Sequence, residues 1–317
     1  MKIVFCGTPQ FAVPTLEALV SAEIEVRLVV TQPDRPSGRG MELTASPVKK
    51  SAHKLGLPIT QPEKIKNNLE FRGALEEIRP EAIVVVGYGR IIPQWMIDLP
   101  PLGNINLHAS LLPKYRGAAP VQWAIATGES VTGVSTMKID AGLDTGDILL
   151  QVQEKIAPED TAETLGPRLA MLGAPLMVET LRGLQAGVIM PRLQDNAQAS
   201  LAPILKKEDG LIDFTCTATE LCNRLRGFQP WPGAWTTFRG KKLSVWEARV
   251  EHSGISSRHS ADIGALRIEN DRLCVGCGHQ STLELLVVQP EGKKRMSARD
   301  FVHGYHPKPG EKLGEQD

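Results

Sequence analysis

NINLHASLLPKYRGAAPVQWA, residues 104–124, starts as a strand, breaks at Leu111-Leu112-Pro113 and ends in a short helix. Successive side chains of a strand point to opposite faces, so Ile105 and Leu107 share one face and Asn106 and His108 the other. The apolar pair marks a strand packed on a core. The polar pair is not the Lys, Glu or Thr of a solvated face. It is an amide beside an imidazole, at the end of the strand. A strand followed by a helix is the unit from which the rest of the chain is read.

Upstream the unit recurs. KIVFCG (2–7), EVRLVVTQ (25–32) and EAIVVVGYG (81–89) are short apolar runs of the kind that parallel strands, buried on both faces, require. Between the first two, Pro14 is tolerable only in the first turn of a helix that buries Leu16, Leu19 and Val20. SPVKKSAHKLG (46–56) reads as a helix with Ser46 as N-cap, Pro47 in first position and Gly56 closing it. Downstream, TGVSTMKID and DILLQVQEKI are expected as antiparallel neighbours. A helix follows from Asp160 to about Gln185, with Asp160 and Glu163 as its capping box and Pro167 and Pro175 predicting a kink or break. Residues 1–188 thus read as a doubly wound α/β domain with a mostly parallel, Rossmann-like sheet. Residues 189–207 lose periodicity and read as a linker. Residues 208–317 open with a helix capped by Thr217 and Glu220 and continue as short strands, a smaller β-rich domain expected to be a small barrel.

Composition narrows the class. The chain has 317 residues, 42% of them hydrophobic, with 36 basic and 36 acidic side chains, which excludes a strongly basic nucleic-acid coat while allowing local patches. Five cysteines, an odd number, suit a reducing compartment better than a disulfide framework. The N-terminal MKIVFCGTPQ runs straight into a strand, and no apolar run approaches the ~20 residues needed to span a membrane. A cytoplasmic protein is expected.

At the carboxyl end of a strand in an open α/β sheet, Asn106 and His108 occupy the place where ligands bind. An Asn N–H can stabilise negative charge developing on a carbonyl oxygen, and a His can move a proton near neutral pH. Together they fit attack on a carbonyl by a nucleophile that belongs to the substrate. A carboxylate would orient the imidazole, and KIDAGLDTGDILL (138–150) offers Asp140, Asp144 and Asp147. Asp144, in a loop flanked by Gly142 and Gly146, has the least structural reason to be there, but spacing does not choose among the three.

Other motifs are weaker. FCGTPQF lacks the G-x-G-x-x-G fingerprint and no Walker motif occurs, so neither a dinucleotide nor an ATP site is expected. Cys274-Val-Gly-Cys277 has no second ligand pair; two cysteines in a β-domain core are expected, and no metal. The connection from Thr31 to Lys50 is long and irregular, with Arg39 between two glycines, suited to reaching a phosphate or a base edge. Arg239-Gly-Lys241-Lys242 and Lys293-Lys294-Arg295 lie near Trp231, Trp235 and Trp246. Nucleic-acid binding would use such clusters, but a solvated rim over core aromatics is the plainer expectation.

Asn-x-His and Ser-Leu-Leu-Pro in residues 106–113, together with DAGLDTGDI (140–148), resemble the 10-formyltetrahydrofolate-dependent formyltransferases. FCGTPQFAVPTLEAL, TQPDRPSGRG, VVVGYGRIIP, GFQPWPGAW and GKKRMSARDF extend the match through most of the chain. The long Arg39 loop, Arg116-Gly-Ala-Ala-Pro120 and the C-terminal domain point to the branch whose acceptor is an aminoacylated tRNA. The resemblance implies 10-formyltetrahydrofolate as formyl donor. It makes Asn106, His108 and Asp144 the catalytic group, Ser110, Leu111, Leu112 and Pro113 the folate-site lining, and the Val84–Gly87 backbone the pterin's neighbour. It implies methionyl initiator tRNA as acceptor, with Arg39 at the tip of a loop inserted into the acceptor stem. The C-terminal domain would be an OB-like barrel carrying more of the tRNA, and the working unit a monomer. The alternatives are an aminosugar nucleotide or glycinamide ribonucleotide as acceptor, or a non-catalytic folate- or RNA-binding module on the same fold.

Overall fold

The computed structural model describes residues 1–37, 42–251 and 262–315. The chain divides into two compact units. The first is Met1–Pro120, Val131–Lys155 and Leu165–Pro203; the second is Val121–Ser130, Ile156–Thr164 and Ile204–Asp317.

In chain order the elements through the first sheet are β1 (Lys2–Gly7), α1 (Val13–Ser21), β2 (Glu25–Val30), β3 (Arg35–Ser37), β4 (Glu42–Thr44), α2 (Pro47–Lys54), β5 (Ile59–Thr60), α3 (Leu69–Ile78), β6 (Ala82–Val86), α4 (Gln94–Ile97), β7 (Asn104–His108), α5 (Pro120–Ala126), β8 (Val131–Lys138), β9 (Ile148–Lys155) and α6 (Ala162–Gln185). Seven strands form one sheet in the order β5-β2-β1-β6-β7-β8-β9. The first five in that order run parallel, while β8 pairs antiparallel with β7 and with β9. The chain winds outward from β1 to β5, returns to β6 and winds the other way. A crevice therefore opens at the carboxyl ends near β1 and β6, with β7 beside it. Every residue of β6 is buried, as the apolar run requires of a central parallel strand.

Local signals placed most helices. Ser46 Oγ accepts from Lys49 N at 3.1 Å to start α2, with Pro47 in its first turn and Gly56 at φ +66° beyond its end. Two expectations are corrected. The reciprocal cap of α6 joins Thr161 and Thr164 (Thr164 N to Thr161 Oγ1 3.3 Å, Thr161 N to Thr164 Oγ1 3.0 Å), because the Asp160 carboxylate accepts from Ala157 N in the turn before. And α6 is one unbroken 24-residue helix despite Pro167 and Pro175. Both prolines are exposed, and the carbonyls they free, at Glu163 and Met171, sit on exposed positions where water can satisfy them. The connection after Thr31, expected to be irregular, contains the β3–β4 hairpin.

The second unit contains α7 (Ala218–Gly227), β10 (Ala234–Phe238), β11 (Lys241–Val250), β12 (Leu266–Glu269), β13 (Arg272–Gly276), β14 (Thr282–Pro290), β15 (Met296–Ser297) and α8 (Ala298–Tyr305). Thr217 and Glu220 cap α7 reciprocally. The strands form an antiparallel sheet in the order β10-β11-β14-β13-β12, with β15 added to β14. The expected OB-like barrel is not seen: among the described residues the path stays open, and its end strands do not pair. Leu221, Leu225, Leu243, Val245, Leu273, Leu285 and Phe301 fill the core between sheet and helices. Cys277 is buried in that core, whereas Cys274, expected there too, is buried on the opposite face, where it pairs across from Glu284; burial pushes the two thiols up to about 12 and about 11.

On the other face of this sheet, the Glu284 carboxylate, 5% exposed, accepts from both Arg272 (2.7 and 3.0 Å) and Arg249 (2.7 and 3.1 Å). Arg272 first, then Arg249, hold it down to about 2 from the ordinary 4.5. A carboxylate with a depressed folded-state pKa contributes its full stability above about pH 4.5 and loses it as pH falls toward 2. Urea midpoints of the parent chain should therefore drop across that window, and those of Glu284→Gln should drop less. Parallel pH profiles for the two proteins would refute this.

Candidate active site

Three polar side chains share one face of β7. Asn104 is tied into the fold, donating to Met96 O (2.8 Å) and Ile97 O (3.1 Å). The opposite face carries Leu107 against α6, so closely that a Cβ on Gly173 would lie 2.6 Å from a Leu107 methyl. Asn106 is half-buried and its amide has no hydrogen-bond partner among the described residues. His108 is 5% exposed. Its Nε2 is 2.8 Å from Tyr115 O, a bond in which the ring nitrogen donates, and its Nδ1 faces Asp144 Oδ2 at 3.7 Å.

The carboxylate that spacing left open is thus Asp144. Asp140 instead closes its own turn, accepting from Gly142 N (3.0 Å) and Thr145 Oγ1 (2.7 Å). Asp147 follows the loop, where its backbone carbonyl accepts from Lys138 N. Asp144 lies at φ +52°, a left-handed conformation that Asp tolerates better than most residues, and its Oδ2 accepts from Gly117 N at 2.8 Å. Gly117 is at φ +123°, and a Cβ there would sit 2.5 Å from Ala202 O. Only glycine lets this backbone N–H approach the carboxylate.

Ser110 to Pro113 form a tight turn after β7. Ser110 is buried, its hydroxyl donating to Lys114 O (2.6 Å), and Leu112 is buried, its N–H donating to Ser135 Oγ (3.1 Å). Leu111 and Pro113 are half-buried and present apolar surface. Gly87, at φ +55°, ends β6 next to Tyr88, whose carbonyl accepts from Gln32 Nε2 (3.0 Å). Arg39 lies outside the described residues. The root of its loop is pinned where Asp34 accepts from Lys49 Nζ (2.6 Å) and Gln61 Nε2 (2.7 Å), bonds that hold the Asp34 carboxyl below its usual range, Lys49 foremost.

Sequence reasoning missed a second layer. Tyr115 supplies the carbonyl under His108, and Gln194, in the stretch read as linker, donates to Asp144 O and Gly146 O. No periodicity or motif marks Gln194. The tryptophans of the second unit are also placed otherwise than expected. Thr236, Phe238, Leu243 and Val245 face the core, so Trp235 and Trp246 face outward. Lys242 lies over Trp235 (5.1 Å to the ring centre), Arg295 over Trp246 (3.1 Å), and Trp231 is 54% exposed. Together they make a cationic, aromatic face.

Comparison with known proteins follows the same division. The "Formyl transferase" family model matches residues 1–181, and the "Formyl transferase, C-terminal domain" model matches residues 204–306. The chain is 66% identical over 314 residues to a methionyl-tRNA formyltransferase of Koribacter versatilis, covering 99% of each chain. It is 60% identical over 314 residues to the corresponding protein of Acidobacterium capsulatum, covering 99% of this chain and 100% of that one. Among solved structures, an N-formyltransferase from Helicobacter canadensis in complex with folinic acid and dTDP-3-aminofucose shares the fold (TM-score 0.64, 18% identity, 92% of this chain and 99% of that one).

Proposed function

The chain belongs to the formyl transferase family, and on that premise we infer how Asn106, His108 and Asp144 carry out its reaction. The chain is a methionyl-tRNA-formylating enzyme: it transfers a formyl group to the amino group of methionine on initiator tRNA, in support of translation initiation. The donor is 10-formyltetrahydrofolate, and the reaction is cytoplasmic, carried out by a single chain. No helix among the described residues is long and apolar enough to cross a membrane.

The observation that carries the mechanism is the contrast on β7. Asn106 offers an unpartnered amide, while His108 beside it is held at Nε2 by Tyr115 O and keeps Nδ1 3.7 Å from the Asp144 carboxylate, too far for a hydrogen bond, so that this nitrogen is free for proton transfer. When the methionine amine attacks the formyl carbon, a carbon–nitrogen bond forms and the carbonyl oxygen gains charge. Asn106 donates to that oxygen. His108 assists it and takes part in moving the proton that leaves the attacking amine, while Asp144 orients the ring. Collapse of the tetrahedral species breaks the bond to the donor's nitrogen, which leaves protonated. Leu111 and Pro113 supply the apolar wall for the folate, and Arg39 reaches the acceptor stem. The cationic face around Trp235 and Trp246 suits the RNA backbone and unstacked bases.

The test is formyl transfer from labelled 10-formyltetrahydrofolate to methionyl initiator tRNA and to the same tRNA with a fully paired acceptor-stem end. Transfer to the first and little to the second is expected. Equal transfer would remove the role given to Arg39, and transfer to neither, with donor binding intact, would favour a small-molecule acceptor.

A further inference from the structure

The two groups that hold the His108 ring belong to different segments. Tyr115 O lies in the turn after β7, and Asp144 in the loop between β8 and β9. One side chain joins them. Gln194 Nε2 donates to Asp144 O (2.9 Å) and to Gly146 O (2.7 Å), and Gln194 Oε1 accepts from Arg116 Nε (3.0 Å). Arg116, 7% exposed, places Nη2 on Asn196 Oδ1 (2.9 Å). Its backbone is bonded on both sides of the same segment, N to Ser200 O (2.8 Å) and O from Ala202 N (2.7 Å), and Tyr115 N donates to Ser200 Oγ (2.9 Å). An amide nitrogen has two N–H donors, and Gln194 uses one on each carbonyl of the Asp144 loop.

We propose that Gln194 and Arg116 are positioning residues for formyl transfer, a clamp that sets Asp144 against His108. The inference rests on the catalytic reading of Asp144 and His108 above. The left-handed backbone at Asp144 is not the conformation this residue would choose unaided, and the two bonds from Gln194 hold its own carbonyl and that of Gly146, two residues on. Gly117 N completes the arrangement, since it belongs to the turn that Arg116 anchors and donates to the carboxylate itself. Moving either segment by about 1 Å is enough to reduce turnover by about 10²-fold.

Gln194→Ala removes the clamp. Gln194→Glu keeps length and the acceptor for Arg116, but turns an oxygen toward two carbonyl oxygens. Each is made alone and in an Asp144→Asn background, and kcat, KM for both substrates and thermal midpoint are measured with methionyl initiator tRNA. Both Gln194 variants should lose about 10²-fold in kcat with KM changed little. In the Asp144→Asn background the same changes should cost less than about 3-fold, because residues that act through one another are not additive. If Asp144→Asn is impaired and Gln194→Glu costs as much in both backgrounds, Gln194 does not act through Asp144 and the clamp is wrong. If Asp144→Asn turns over like the parent, the catalytic reading of Asp144 fails, and the clamp with it. Should Gln194→Ala lower the thermal midpoint, Gln194→Glu, with Arg116 still paired, decides the matter.

Discussion

Replacing His108 by alanine should lower kcat for formyl transfer by about 10²–10⁴-fold, the usual range for loss of a general acid–base group. Affinity for 10-formyltetrahydrofolate should stay near that of the parent, because the polar contacts of His108 go to Tyr115 O and Asp144 while Leu111 and Pro113 supply the folate wall. The substitution also carries a stability penalty of about 1–3 kcal/mol, since Tyr115 O loses a buried donor. Single-turnover rates at saturating donor, with donor titrations and melting curves, separate the three effects. Lost donor binding with normal turnover per bound complex would give His108 a binding role and reject the chemical one.

Asn106→Ala should also be severe, about 10²–10³-fold in kcat, the range measured for removing one oxyanion donor. Its signature differs from that of His108. Asn106 has no partner to leave stranded, so stability should move by no more than about 0.5 kcal/mol. Neighbours on one strand would then divide cleanly, one substitution hurting both fold and chemistry and the other chemistry alone. Steady-state kinetics on folded protein provide the check. A rise in donor KM with kcat unchanged would mean that Asn106 binds ground state and transition state equally and does not stabilise the oxyanion.

The parts legible in the sequence were those fixed by local rules. The two-residue period of a strand put Asn106 and His108 on one face, and β7 has that geometry. Ser46 with Pro47, and Thr217 with Glu220, start helices through bonds reaching three residues along the chain. What escaped depended on partners far away in sequence. Pro167 and Pro175 signal a kink or break, but the helix runs on through both, with the carbonyls they free on positions open to water. Trp235 and Trp246 were assigned to a core because they are large and apolar, although alternation along β10 and β11 already turned them outward. Barrel closure is a pairing between distant strands and leaves no local mark. The choice of Asp144 over Asp140 and Asp147 was not in the spacing; the family resemblance implied it, and in the fold Asp144 is the carboxylate that faces the imidazole.

The stretch that follows α6 has a bearing on how this architecture can be recombined. The last helix of the first unit ends at Gln185, yet the contacts that define the unit run on to Pro203. In between lie the Arg192 pairing with Ile148, the Gln194 amide and the strand-like bridge from Leu201 to Arg116. A graft cut at the end of the helix would transplant every element of the sheet and leave its loops unfastened. A seam for exchanging C-terminal modules lies after Pro203, which keeps the fastening attached to the loops it closes, and Val121–Ser130 and Ile156–Thr164, which belong to the second unit, have to be matched to the incoming module.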